Sequence, residues 1–320
     1  MSKTRWAVIG NGALGKHYAE IIDRLPETEL VAAVNDDYGQ ILSMTGIDIV
    51  VVATPNYLHH RIGLDVLNAG KHLLIEKPFA LSVQECQDLI AAAEKEQRFL
   101  AVGHQFRLSP LWGRIKQLID EGFIGEPRYV LIELSRFPYR QGANGWRYDK
   151  NKVGNWILEE PIHFYDLAAW YLRDFGKPVS VYASANANNG STLYDNLSSV
   201  VNFSNGSHAV IAQTLSAFEH HQTVKVAGTK GSLWASWSGA KDRTLTPSFF
   251  LKRSNGQEVV DETFETNAGE LFELESQIKR MAEIINGTAP VHCTGQDGLL
   301  AVALSNAAQK SAETKELIIL

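Results

Sequence analysis

Gly10-Asn11-Gly12-Ala13-Leu14-Gly15 follows directly on the apolar run Trp6-Ala7-Val8-Ile9, close to the start of the chain. A strand, a G-x-G-x-x-G turn and a helix in that order leave few folds open. The first glycine permits a tight strand-to-helix turn, the second lets backbone approach a pyrophosphate, and the third lets helix pack on strand. Leu14, Tyr18, Ile21, Ile22 and Leu25 recur at helical spacing and supply the apolar face of that helix. Unpaired N–H groups and the dipole at its N-terminus attract phosphate. An ordinary glycine turn is the plain alternative; the strand before and the helix after favour a dinucleotide site. All six residues, Gly10 to Gly15, are counted as cofactor-binding.

The rest of the first 120 residues continues that pattern. Near-continuous apolar runs at 5–9, 30–34, 47–53, 72–75 and 99–102 alternate with helical stretches at 13–25, 57–69, 82–97 and 110–121. Buried parallel strands read this way. The alternation predicts an α/β fold beginning with a Rossmann domain, a doubly wound parallel sheet whose ligand lies beyond the carboxyl ends of its strands. After Gly122 and Gly125-Glu126-Pro127 the texture changes. Longer alternating segments run at 128–135, 179–187, 197–203, 208–216, 223–228 and 232–236, punctuated by turns such as Ser204-Asn205-Gly206 and Ser254-Asn255-Gly256. With helices near 161–173, 269–285 and 297–311, this half predicts an α/β domain with a large, mainly antiparallel open sheet. The expected division is 1–122 for the dinucleotide and 123–320 for substrate and oligomerisation. Val200, Phe203, Val210, Ile211 and Leu215 are expected to hide one sheet face against another subunit, in a homodimer or homotetramer.

Composition narrows the function classes. At 320 residues and 45% hydrophobic, the chain can bury two ordinary cores. A net charge of −6 offers no basic field to nucleic acid or anionic lipid. The two cysteines, Cys86 and Cys293, lie far apart and in no metal-ligand spacing, so neither a disulfide scaffold nor a metal site is expected. The first strand starts within five residues of Met1, which leaves no room for a secretory leader, and the longest apolar run, Ile49–Ala53, is too short to span a bilayer. A soluble, cytoplasmic protein is expected.

Three successive strand ends carry polar clusters, and together they argue for one site. Thr54-Pro55-Asn56 closes the third strand, where proline stops the ladder. Glu76-Lys77-Pro78 closes the next, and a lysine at that edge points toward the cofactor crevice. A solvated lysine is the ordinary alternative for any single case. Gly103-His104-Gln105-Phe106-Arg107 closes the fifth. Thr54, Pro55, Asn56, His59, Glu76, Lys77 and His104 join the cofactor set. A second constellation spans Gly154 to Asp166. Pro161 suits the first turn of a helix, which places His163 near the positive end of the dipole, where neutral imidazole is favoured. Glu159, four residues earlier, is in reach of the other ring nitrogen; a capping carboxylate–His pair without chemistry is an equal reading of the spacing alone. Trp146, Arg147, Asn155 and Arg107 are candidate substrate contacts, each with a bland reading as loop or core.

These pieces, in this order and spacing, resemble the Gfo/Idh/MocA oxidoreductases (glucose-fructose oxidoreductase, inositol dehydrogenase, rhizopine catabolism) over nearly the whole chain. The resemblance implies NAD(P)-linked oxidation of a sugar or polyol hydroxyl. Lys77 would bind and polarise that hydroxyl, together with His163, and His163 would take its proton, oriented by Glu159. An imidazole, with an ordinary pKa of about 6.5, suits a base better than an amine at about 10.4. It also implies that the Lys77–Pro78 bond is cis. The chain departs from the family in having Glu159 for the usual Asp and Pro161 for the usual Gly. It departs more after the second strand, where Asn35-Asp36-Asp37-Tyr38 runs almost directly into the next element and roughly twenty residues of a βαβ unit are missing. Asp36 is the expected partner of the ribose 2′-hydroxyl, favouring NAD over NADP; a plain turn role is equally open. Two rival readings use the same parts: a redox-assisted glycoside lyase or hydrolase with tightly held NAD, and a non-enzymatic cofactor-sensing regulator.

Overall fold

The computed structural model of the protein describes residues 3–35, 37–188, 193–241 and 243–320. The chain forms two compact units. The first comprises Met1–Gln105, Gln141–Gly154 and Leu274–Val302; the second comprises Phe106–Arg140, Asn155–Glu273 and Ala303–Leu320. The cut expected at 122 falls within the second unit, and two later stretches count with the first.

In the first unit, strands β1 (Thr4–Ile9), β2 (Thr28–Val34), β3 (Ile49–Val52), β4 (His72–Glu76) and β5 (Leu100–Gly103) form one sheet in the order β2-β1-β3-β4-β5. Every pairing is parallel. The sequence reason is plain: β3 reads Ile-Val-Val-Val and all four residues are buried, as a strand covered on both faces requires. Helices α1 (Ala13–Arg24), α2 (Gly39–Ser43), α3 (His59–Asn68) and α4 (Val83–Lys95) connect the strands. Ser82 and Glu85 start α4 with a reciprocal capping box. The missing stretch after β2 has a structural counterpart. Only the five-residue α2 separates β2 from β3, and β2 is the edge strand where a full Rossmann order would carry one more.

The second unit is built on a nine-stranded sheet. Its strands are β6 (Pro127–Arg136), β7 (Pro178–Asn186), β8 (Asn196–Phe203), β9 (His208–Thr214), β10 (His220–Gly228), β11 (Ser232–Gly239), β12 (Ser248–Ser254), β13 (Val259–Asp261) and β14 (Ile318–Ile319). They lie in the order β13-β12-β11-β10-β6-β9-β8-β7-β14. All pairings are antiparallel except β6 with β9. Strands β12 to β14 have no counterpart in the sequence reading; β13 and β14 have three and two residues, too few to show a period. Helices α5 (Trp112–Asp120) and α7 (Ile162–Leu172) belong to this unit. The short α6 (Lys150–Val153) belongs to the first, and α8 (Glu270–Ile285) and α9 (Gly295–Thr314) complete the chain.

The five sheet residues expected to share one hidden face do not share it. Phe203, Ile211 and Leu215 are buried in the unit's own core. Val200 and Val210, paired across β8 and β9, lie half-buried on the opposite face. Strand side chains alternate, so residues an odd number apart point opposite ways. Among the described residues, no helix is long and apolar enough to cross a membrane.

Candidate active site

The three glycines of the first turn are held by three different constraints. Gly10 has φ +117°, and a Cβ there would lie 2.3 Å from the Ala53 carbonyl oxygen at the end of β3. A Cβ on Gly15 would lie 1.7 Å from the Gly10 carbonyl oxygen, so α1 can sit on the turn only without a side chain. Around Gly12 the opposite holds: a Cβ would meet nothing within 4 Å. Gly12 is also the N-cap of α1, and no side chain caps that end. Open space in front of uncapped N–H groups fits a diphosphate. The turn Gly10-Asn11-Gly12-Ala13-Leu14-Gly15 thus leaves room for the diphosphate of the NAD expected from sequence. Asn11 N–H donates to Asn35 Oδ1 at 3.3 Å, tying the turn to the end of β2. Asp36, the expected ribose partner, lies outside the described residues.

The strand ends β3, β4 and β5 hold the remaining first-unit residues. Thr54-Pro55-Asn56 leads into a short 3₁₀ turn, and Asn56 donates its side-chain amide to the Val153 carbonyl at 3.2 Å. The fully buried His59 imidazole lies between two carbonyl oxygens, Nδ1 2.7 Å from Pro78 O and Nε2 2.9 Å from Thr54 O. That ring joins two of the three clusters picked out in the sequence. Glu76 is buried, with Oε1 accepting from the Tyr18 hydroxyl at 2.5 Å and Oε2 from the Lys77 N–H at 3.1 Å. The Lys77–Pro78 peptide is cis, as the resemblance implies. His104 is fully buried at the end of β5. Trp146 and Arg147 lie in the 141–154 stretch, with the Arg147 guanidinium 4.7 Å over the Trp146 ring.

In the second unit, α7 begins one residue after Pro161, and His163 N–H donates to Glu160 O at 3.0 Å in the first turn. His163 is buried, and the Phe106 ring stacks on its imidazole at 4.6 Å and 27°. Glu159 is buried on the turn before the helix, its N–H donating to Trp156 O. Asn155 supports the same turn: Oδ1 accepts from Leu158 N at 2.8 Å, and Nδ2 donates to Asn306 Oδ1 at 3.4 Å. Arg107 forms a two-pronged pair with Asp166, Nε to Oδ2 at 3.0 Å and Nη2 to Oδ1 at 2.7 Å, both side chains nearly inaccessible. The pair joins the end of the β5 connection to the second turn of α7, one turn beyond His163. Arg136 donates to Glu160 beside it, and Glu160 Oε1 is 3.7 Å from His220 Nε2.

Sequence reading placed Phe106, Glu160 and Asp166 within its motifs without giving them a role, and it missed the Tyr18 hydroxyl, Arg136 and His220. Tyr18 registered only as one of the apolar positions of α1; Asp166 carried the available signal of lying three residues after His163 on a helix. Cysteine chemistry has no place here: both thiols are buried, and burial pushes Cys86 up to about 12. Among the described residues no group of three or more His, Cys, Asp or Glu is arranged to hold a metal ion.

A parallel sheet with a glycine turn at the start of α1 has the form of a Rossmann unit, and a large mixed sheet carries the second unit. Comparison with known proteins gives the family. Residues 35–104 match the oxidoreductase family's NAD-binding Rossmann fold and residues 116–319 match its C-terminal alpha/beta domain, so the chain belongs to the Gfo/Idh/MocA oxidoreductase family. The first match begins after the glycine turn. An uncharacterized oxidoreductase of Bacillus subtilis (strain 168) is 27% identical over 95% of this chain and 93% of its own length. Inositol 2-dehydrogenase of Rhizobium meliloti (strain 1021) is 27% identical over 98% of each chain. Among solved structures, an inositol dehydrogenase homolog from Azotobacter vinelandii complexed with NAD+ superposes with TM-score 0.85 at 20% identity, covering 100% of this chain and 98% of that one; this likeness shows the fold.

Proposed function

We propose that the protein is an NAD-dependent dehydrogenase oxidising a secondary hydroxyl of a polyol or sugar, with inositols as the first substrates to test. The observation that carries the reading is the retention in one chain of Lys77 at the carboxyl end of β4 and a buried His163 in the first turn of α7. Similarity to an inositol 2-dehydrogenase along the full length supports the substrate class. Bound NAD supplies the hydride acceptor. His163 takes the hydroxyl proton as the C–H bond breaks, a task for a base held neutral near pH 7. The Lys77 ammonium stabilises the negative charge that develops on the oxygen, without itself losing a proton. The Phe106 ring stacked on His163 excludes water from one face of the imidazole and holds its plane. Glu159 orients that ring from the turn before the helix. The first unit binds the dinucleotide, the second the substrate with the help of Trp146 and Arg147, and copies of the chain associate through the sheet face carrying Val200 and Val210.

NAD is the expected cofactor over NADP, because the segment after β2 offers Asp36 and Asp37 rather than a cation. The test is a panel of inositols, hexoses and pentoses with each cofactor, read at the absorbance band of the reduced nicotinamide. Lys77→Ala and His163→Ala should each lower kcat by at least about 100-fold and leave NAD affinity intact. Unchanged turnover in either variant removes that residue from the mechanism. Tight NAD binding with no reduction by any member of the panel would favour the lyase or regulator readings instead.

A further inference from the structure

The Tyr18 hydroxyl has no place in the mechanism above, yet it sits in a chain of hydrogen bonds, buried at Tyr18, Glu76 and Gln277, that ends on the half-buried Lys77 backbone. Gln277 of α8 donates from Nε2 to the Tyr18 oxygen at 3.1 Å. Tyr18 donates to Glu76 Oε1 at 2.5 Å, and Lys77 N–H donates to Glu76 Oε2 at 3.1 Å. All of these residues belong to the first unit, and Tyr18, Glu76 and Gln277 are each 3% exposed or less. At 2.5 Å the phenol–carboxyl bond lies at the short end of the O–H···O range. A carboxylate accepting on both oxygens from fixed donors cannot rotate, so the backbone that carries the Lys77 side chain is held in place.

The neighbouring strand is shaped to the same end. Gly103 of β5 pairs with Glu76 in register, and a Cβ there would stand 3.0 Å from both Glu76 Cα and Cδ. Nine in ten real Cβ contacts are longer than that, so glycine leaves room beside the carboxylate. The other end of the chain is α1, the helix that starts on the glycine cradle. One phenol thus registers the dinucleotide helix against the lysine turn.

We infer that Tyr18 and Glu76 are positioning residues for Lys77: the phenol on α1 locks the carboxylate that holds the Lys77 backbone, so the cofactor cradle and the alkoxide-stabilising ammonium are set by one buried relay. The kinetic consequence rests on the role proposed for Lys77 above; the relay itself does not.

The test uses Tyr18→Phe, which keeps the ring and removes only the hydroxyl. Hydrogen exchange at the Lys77 amide should speed up about tenfold, the factor equivalent to one net hydrogen bond. Unchanged exchange overturns the relay. Gly103→Ala, which crowds the carboxylate from the other side with the phenol intact, should give the same acceleration and serves if the first variant does not fold. In the kinetic arm, with myo-inositol and NAD, Tyr18→Phe and Glu76→Gln should each lower kcat about tenfold, and Tyr18→Phe should leave NAD affinity within about twofold of the parent. The double variant should be no worse than Glu76→Gln alone, because the phenol acts only through the carboxylate. Additive losses overturn the inference, as a purely structural role would predict them. Should the parent enzyme oxidise no polyol, the dehydrogenase reading fails while the exchange measurement still decides the relay.

Discussion

Glu273 offers a sharp test of how this fold handles a buried charge. It lies in the first turns of α8 and is completely enclosed, and that burial pushes its carboxyl from 4.5 up to about 7. The Ser109 hydroxyl and the Gly269 N–H, the latter 3.2 Å from Oε1, pull the value back part of the way, and the nearby Glu270 raises it again. The folded protein therefore holds this proton more tightly than the unfolded chain does. Stability from the protonated form is complete below about 4.5 and is lost as pH rises through about 7. Each pH unit between those values removes about 1.4 kcal/mol, so ionisation costs roughly 1 kcal/mol at pH 5 and roughly 3 kcal/mol at pH 8. Glu273→Gln keeps an acceptor for Gly269 and cannot ionise. Urea denaturation of parent and variant across pH 5 to 8 should show the variant gaining stability relative to the parent as pH rises, by about 2 kcal/mol over that range. A difference that stays flat with pH would refute the argument, and one of opposite slope would mean that the site stabilises the carboxylate.

Other perturbations follow from the same geometry. Gly12→Ala adds a methyl where nothing lies within 4 Å, so thermal stability should hold while NAD affinity, measured by calorimetric titration, falls at least about tenfold; undiminished affinity would move the diphosphate elsewhere. Gly10→Ala meets the Ala53 carbonyl at 2.3 Å with φ +117° and should lower both stability and NAD affinity. Arg107→Ala or Asp166→Ala each strands a buried charge and should cost about 3–5 kcal/mol in denaturant titrations, with the double replacement by apolar residues of similar volume costing less than either single one.

The residues that sequence alone assigned to the Rossmann half were legible because their signals are local. Helical spacing along α1, the four-residue apolar run of β3 and the glycine and proline punctuation at strand ends each follow from the chemistry of a few neighbouring residues. The same holds for Pro161 before α7 and for the alternation in β8 and β9, whose Asn205-Gly206 turn is a matter of backbone preference. Sheet order was less accessible. The parallel pairing of β6 with β9 and the edge position of β2 depend on contacts between segments far apart in the chain. Local pattern says that a strand exists, not which strand it meets.

Arg107 was expected at a substrate, and the folded chain closes its guanidinium on Asp166, 59 residues away. Asn155 was expected there too, and its amide supports the turn before α7. Tyr18 fitted the apolar face of α1, and its ring is indeed buried, but periodicity registers only the ring. The hydroxyl found its carboxylate 58 positions along the chain, on a different strand. The order of the first-unit strands, the glycine turn and the polar strand ends were therefore written in the sequence, since each is decided by backbone geometry and hydrophobic spacing within one segment. The pairing of buried polar groups was decided by tertiary structure alone, because a donor carries no local mark of the distant acceptor that its burial will demand.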